Sequence, residues 1–148
     1  MARIDYTAIL RGTRETIEND ANVRTLRATV EIGRAVLTNA VSPHVNIFEG
    51  RRDATTQVIA AGTRQRYVFR WQVVVSAFSA AGFEDAMAQR DELLSYVETA
   101  LIADRSLKGA LASRQLHLSG GELQSQPGDN GFWSQGAIDL SAEVTASV

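Results

Sequence analysis
Apolar residues recur along the chain with two different periods, and the changes of period mark its elements. Tyr6, Ile9, Leu10, Thr13 and Ile17 share one face at helical spacing, while Arg11, Arg14, Glu15 and Glu18 fall elsewhere. This predicts a helix over residues 2–20, with Asp5 as its N-cap or first-turn acid and a stop at Asn19-Asp20-Ala21-Asn22. Residues 23–42 are irregular with a short strand: Val30 and Ile32 alternate, and so do Ala35 and Leu37, with Gly33 breaking the run. After Pro43, His44 to Arg52 reads as a strand with Val45 and Ile47 facing inward, and the polar run from Arg51 to Thr63 reads as a loop.

The longest alternation follows. Tyr67, Phe69, Trp71, Val73 and Val75 lie on one side of a strand, and Val68, Arg70, Gln72, Val74 and Ser76 on the other. Both sides turn apolar toward Val73–Val75, which predicts a central position covered on two sides. Ser79-Ala80-Ala81-Gly82 makes a turn, and a second helix runs from Phe83 to Ala103. Its stripe is Phe83, Met87, Arg90, Leu94, Val97 and Leu101, flanked by Ala86, Leu93 and Ala100. Glu84 and Asp85 occupy its first turn, where the helix dipole favours acids. Asp104 to Gly109 ends it. Two strands close the chain, Arg114–Leu118 and Gly136–Val144, joined by a Gly-rich flexible connection over residues 119–135.

The order helix, strand, strand, helix, strand, strand predicts an α+β fold. Its sheet is mixed and mostly antiparallel, with about four or five strands packed against two helices. Residues 1–148 form one domain on this reading, with 22–42 the least regular part.

Composition narrows the chemistry. The 148 residues contain no Cys, two His and one Lys, so 14 of the 15 basic residues are Arg. That excludes a disulfide framework, a thiol nucleophile and Cys-ligated zinc, and neither a metal nor a cofactor is expected. The N-terminus turns charged at once, and the charge-free stretch with an apolar bias from Trp71 to Phe83 is shorter than a membrane helix needs. The expectation is therefore no membrane association and a cytoplasmic origin. His44 and His117 are the candidates for nucleophilic or acid–base catalysis. Each lies at or in a strand, where an ordinary surface or edge role is the simpler reading, and no Gly-x-Ser-x-Gly elbow accompanies them. No dinucleotide or Walker-type glycine loop occurs. Asp129-Asn130-Gly131 has residues of a calcium loop without its spacing, so a hairpin turn is the better reading. The adjacent carboxylates Glu84-Asp85 and Asp91-Glu92 point about 100° apart on a helix and make no dyad.

Charge is divided. Residues 1–70 carry 11 basic and 7 acidic side chains, and residues 71–148 carry 4 and 10, so a net of −2 hides +4 followed by −6. Arg51, Arg52, Arg64 and Arg66 cluster on the first hairpin, with Arg70 beyond them, and Asp91, Glu92 and Glu98 lie on the second helix. Such a division suits a head-to-tail interface between copies, in which Arg is well fitted to ion pairing. A nucleic-acid module is the alternative use of the arginines, although no known module pattern is present. Two solvated faces are the plainest reading.

An N-terminal amphipathic helix leads through Pro43 into Val45-Asn46-Ile47-Phe48. A polar loop precedes Tyr67-Val68-Phe69-Arg70-Trp71-Gln72-Val73-Val74-Val75. One helix follows, Glu84-Asp85-Ala86 through Leu93-Leu94 and Val97 to Ala100-Leu101, then Asp104, Leu107-x-Gly109 and the last strands. This order and size resemble the tail terminator proteins of long-tailed bacteriophages and related neck, or tail-completion, proteins. The resemblance spans nearly the whole chain, with residues 22–42 departing from it most, and rests on no catalytic motif. It implies a structural virion protein that forms a ring, commonly a homohexamer, at the head-proximal end of the tail tube, assembled in the host cytoplasm. The ring would stop tube polymerisation, join the tail to the head connector or neck protein, and let phage DNA pass through its lumen without specific binding. Another virion component, a head-completion or tail tube protein, is the nearest alternative. A small His-dependent enzyme and a nucleic-acid-binding module stand further off.

Overall fold
The computed structural model describes residues 4–33, 42–54, 64–111 and 116–147. The elements run α1 (Tyr6–Glu18), α2 (Ala21–Thr25), β1 (Thr29–Ile32), β2 (His44–Ala54), β3 (Arg64–Ser79), α3 (Phe83–Ala103), β4 (His117–Ser119), β5 (Leu123–Gly128) and β6 (Gly131–Ser147). One six-stranded sheet has the order β1-β2-β3-β6-β4, with β5 also paired to β6. β1 lies parallel to β2 and every other pairing is antiparallel. This is the α+β, mixed and mostly antiparallel architecture expected above, with one more helix and at least one more strand.

The first helix begins as its sequence predicts: Asp5 Oδ1 accepts the Ala8 backbone N–H at 3.0 Å. At the far end Asn19 is the C-cap, but Asp20 starts a new helix by accepting from Asn22 and Val23. The alternation at Val30 and Ile32 becomes β1, whose parallel register aligns Thr29 with His44 and Ile32 with Ile47.

The sheet has two unlike faces. Val45 and Ile47 of β2, Phe69, Trp71, Val73 and Val75 of β3, and Ile138, Leu140 and Ala142 of β6 share one face and are buried. They meet Ile9, Leu10 and Ile17 of α1 and Leu93, Val97 and Leu101 of α3 in a single core. α1 is tied down where Trp71 Nε1–H donates to Thr13 Oγ1 at 3.2 Å and where Tyr6 tilts against Phe69. The other face is covered only in part. Val74 is half-buried there, His44, Asn46 and Ser76 are buried, and Arg70 and Asp139 are exposed. Among the described residues the helices all lie on the first face.

Two stretches differ from their sequence reading. The strand expected over His44–Arg52 runs on to Ala54, so Asp53 and Ala54, expected in a loop, belong to β2, which carries a bulge at Gly50–Arg51 where the register with β3 shifts; the rest of that loop, 55–63, lies outside the described residues. The flexible connection expected over 119–135 holds β5 and the start of β6, joined by a two-residue turn at Asp129-Asn130 with Asn130 at φ 62°. Its Ser, Gln and Gly residues carry no apolar alternation because β5 is an exposed edge strand. The Ala137 N–H donates to Glu122 O, which turns the backbone groups of Leu123, Ser125 and Pro127 away from β6. Pro127 therefore sits where its missing N–H costs no ladder bond. Gly121 makes the step between β4 and β5, since a Cβ there would stand 2.4 Å from Ala137 O. Of the strand expected at Arg114–Leu118, residues 117–119 are strand and 112–115 lie outside the described residues.

α3 occupies the expected span, with Ala86, Arg90, Leu93, Val97, Ala100 and Leu101 buried. Phe83, the first residue of the expected stripe, is instead 36% exposed and tilts against Phe132 at the start of β6. In the turn after α3, Asp104 accepts from the Ser106 hydroxyl at 2.6 Å and from the Ser106 and Lys108 backbone N–H groups. These bonds support three consecutive left-handed residues, Leu107, Lys108 and Gly109, and deliver Leu107 into the core. The Ser106 hydroxyl, and after it the backbone donors, hold the Asp104 carboxyl below its ordinary value of 3.8 against the opposing effect of burial. A depressed folded value means stability that is present above the ordinary value and lost as pH falls through the folded one. Asp104→Ala is expected to cost about 1 kcal/mol at pH 7. Thermal melts should show the gap between variant and wild type closing as pH drops below about 3.8; a gap independent of pH would contradict this account.

Candidate functional site
The four arginines singled out by sequence gather along β2 and β3. Arg52 faces the helices: its guanidinium lies 4.5 Å from the Tyr67 ring centroid and 5.6 Å from that of Tyr6. It also donates to the Tyr6 hydroxyl at 3.2 Å, the bond that does most to raise its pKa. Arg52 thus pins the start of α1 to the sheet. Arg51 lies in the bulge, 76% exposed, with Nε 3.3 Å from Asp53 Oδ2. Arg70 reaches the same carboxylate oxygen at 3.5 Å, so two guanidiniums share one carboxylate. Arg66 pairs with Glu143 across the β3–β6 ladder at 3.4 Å. Arg64 opens β3, its backbone opposite Ser147.

The acidic residues lie on the solvent side of α3. Asp91 accepts two bonds from its buried neighbour Arg90, at 2.9 and 2.8 Å, while Arg90 Nη1 donates to Ser134 on β6. Glu92 accepts from Tyr96, which holds that hydroxyl above its usual pKa. Glu98 is exposed with no partner among the described residues. The structure does not bring the arginine cluster and the first half of α3 together. Arg52 is in register with Phe69, and Arg90 bonds Ser134, which is in register with Ala77. These positions are roughly 26 Å apart along β3 at about 3.3 Å per residue. Opposite charges of one chain therefore cannot satisfy each other there.

The two histidines do not form a shared site. His117 is exposed on β4. His44, expected at the surface or an edge, is fully buried, because β2 is paired on both sides at that point, to Thr29 of β1 and Ser76 of β3. Its Nε2 lies 2.8 Å from Glu31 Oε2. Its Nδ1 is buried without a hydrogen-bond partner among the described residues. No three His, Asp or Glu side chains among the described residues converge as a metal site would require, and no described helix is long and apolar enough to cross a membrane.

What sequence reasoning missed is a cleft of about 420 Å³ on the sheet face away from the helices. Phe48, Arg51, Arg70, Gln72 and Asp139 line it, and Gln72 Nε2 donates to Asp139 at 3.0 Å. The bulge at Gly50–Arg51 shapes one wall. A bulge is set by pairing between strands, so the order of residues in β2 alone gave no signal of it.

No protein-family model and no curated protein sequence matches the chain. Among solved structures, a chain from the virion of a native gene transfer agent particle is 16% identical, with a TM-score of 0.57, over 95% of this chain and 97% of that one. A second solved chain, known by a serial designation only, is 19% identical, with a TM-score of 0.53, over 94% of this chain and 96% of that one. At such identities the likeness is one of fold, extending over nearly the full length of both partners.

Proposed function
We propose that this chain is a structural virion protein of the tail terminator or neck type, forming a ring of identical subunits at the head-proximal end of a tail tube. The observation that carries the reading is the end-to-end match of its fold to a chain from the virion of a gene transfer agent particle. Two further features support it. The arginines around Arg52 and the acids of the first half of α3 lie too far apart to pair within one chain, which suits contact between copies. Exposed Arg51 on the sheet and exposed Glu98 on α3 are available to a neighbour. On this reading the ring contacts the tube protein on one side and the head connector on the other, its lumen passes DNA, and no reaction is catalysed. Assembly takes place in the host cytoplasm.

Electron microscopy of the purified protein, alone and with tail tubes, is the direct test. Closed rings, or rings capping the ends of tubes, are expected. Long filaments would assign the chain to the tube itself, the nearest alternative among virion components. A protein that stays monomeric by light scattering and leaves tubes unbound would remove the proposal.

A further inference from the structure
We propose that copies of this chain join edge to edge, with β1 of one copy pairing antiparallel to β5 of the next so that Ile32 meets Leu123 and Val30 meets Ser125. This rests on the ring reading and names the strands that would make it.

Both outer strands turn backbone groups away from the sheet. β1 is the last strand on one side. The Thr29 N–H donates to Pro43 O at 3.0 Å and the Gly33 N–H to Ile47 O at 2.8 Å. Alternate residues of a strand bond to the same side, so Thr29, Glu31 and Gly33 face β2, and Val30 and Ile32 turn their N–H and C=O groups outward. On the opposite side of the sheet β5 turns Leu123 and Ser125 outward in the same way, and Pro127, which has no N–H, ends the open stretch. Each edge thus offers two residues able to exchange hydrogen bonds. Native edges are commonly blunted by charge, lysine above all. β5 has no charged residue, and β1 has only Glu31, which lies 2.8 Å from buried His44.

The two edges agree in direction, face and polarity. β1 runs with β2 and β6 and against β3 and β5. A second copy that continues the sheet in the same sense therefore lays its β1 antiparallel to β5. Val30 and Ile32 stand opposite Val45 and Ile47, on the side of the helices, and pack against the core there. Leu123 stands opposite Gly136, in the space beside Leu94 of α3, and Ser125 bonds Ser134, the partner of Arg90 on the same helix. Opposed residues of an antiparallel pair point to one face, so this junction keeps the helices of both copies on the same side. It also gives Leu123, 59% exposed in one copy, Ile32 as its cross-strand neighbour. Pairing β5 with a second β5, in the register that engages both residues, would set Leu123 against Ser125 and leave β1 open in each copy. The β1–β5 contact joins unlike edges, and a fixed rotation from copy to copy closes such a contact into a ring.

The chain has no cysteine, which makes crosslinking the direct test. Ile32 and Leu123 of one chain are separated by the width of the sheet, roughly 19 Å, too far for a disulfide. Opposed Cα atoms of a hydrogen-bonded antiparallel pair are about 5.5 Å apart, within disulfide reach. Mild oxidation of the double variant Ile32→Cys, Leu123→Cys is expected to give a ladder of covalent oligomers on non-reducing gels, and neither single variant should do so. Ser125→Pro removes an outward N–H and no bond to β6, whereas Ser125→Ala loses the same hydroxyl and keeps the N–H. In analytical ultracentrifugation the proline variant is expected to associate about tenfold more weakly than the alanine variant, the scale of one interfacial hydrogen bond. Their circular dichroism melts should coincide, so that the difference reports contact and not folding. No ladder from the double variant, or equal association of the two Ser125 variants, would overturn the edge pairing and leave the ring itself standing. Covalent dimers from Leu123→Cys alone would overturn it in favour of a contact between two β5 strands. A wild type that never associates would remove the ring and the edge pairing together.

Discussion
Replacing Trp71 with Ala is expected to lower the stability of the protein by about 3–5 kcal/mol. The indole is 2% exposed at the centre of β3. It stacks on Phe69 with centroids 5.1 Å apart and donates to Thr13 of α1, whose hydroxyl in turn donates to Ile9 O at 2.8 Å. Truncation removes a large apolar side chain from a close-packed core, leaves a cavity between α1 and the sheet, and breaks the one side-chain hydrogen bond drawn from β3 to that helix among the described residues. Against total stabilities of about 5–15 kcal/mol this is a loss of roughly a fifth or more. Trp71→Phe separates the contributions: it keeps most of the ring and loses the hydrogen bond, so about 1–2 kcal/mol is expected. Urea unfolding followed by circular dichroism measures both. An alanine variant within about 1 kcal/mol of wild type would mean that α1 is held by something other than this contact.

Gly12→Ala should destabilise by about 2–3 kcal/mol, opposite in sign to the usual effect of that change. In the middle of an exposed helix, Gly to Ala is stabilising by roughly 0.5–1 kcal/mol, because glycine gives up more backbone freedom on folding. Gly12 is buried, and a Cβ there would stand 2.4 Å from Leu107 O and 2.9 Å from Ala110 Cβ. The atom in the way is backbone, in the turn that Asp104 holds and that carries buried Leu107 into the core. Neither side yields without moving α1 or the turn. Chemical denaturation of Gly12→Ala decides the matter, and a variant as stable as wild type would show that the approach of α1 to this turn is looser than described.

Much of the architecture follows from patterns that neighbouring residues create on their own. The alternation from Tyr67 to Val75 identifies β3 and its buried side, because side chains of a strand alternate whatever it pairs with. α3 is legible from Phe83 to Ala103 for the matching reason, and even buried Arg90 appears in its stripe. Asp5 caps α1 through bonds that span three residues. These are local constraints, and the chain carries them in order.

Contacts between distant residues behave differently. β5 has no apolar alternation because both its faces meet water, so only its pairing with β6 reveals that Leu123–Gly128 is a strand. The burial of His44 depends on strands at both of its sides. The division of charge was readable, but not that Arg52 is held by Tyr6 and Tyr67, nor that Arg51 shares Asp53 with Arg70.

The sequence by itself determined which residues form the central strand and the two main helices, which of their sides seek the core, and that reactive side chains are few. Those properties arise from periodicity and composition, which need no partner. Tertiary structure alone decided the sheet order, the bulge at Gly50–Arg51, the cleft behind the helices and which charged side chains pair with one another. Each of these is set by pairing and packing between segments far apart in the chain, and that information exists only once the chain has folded.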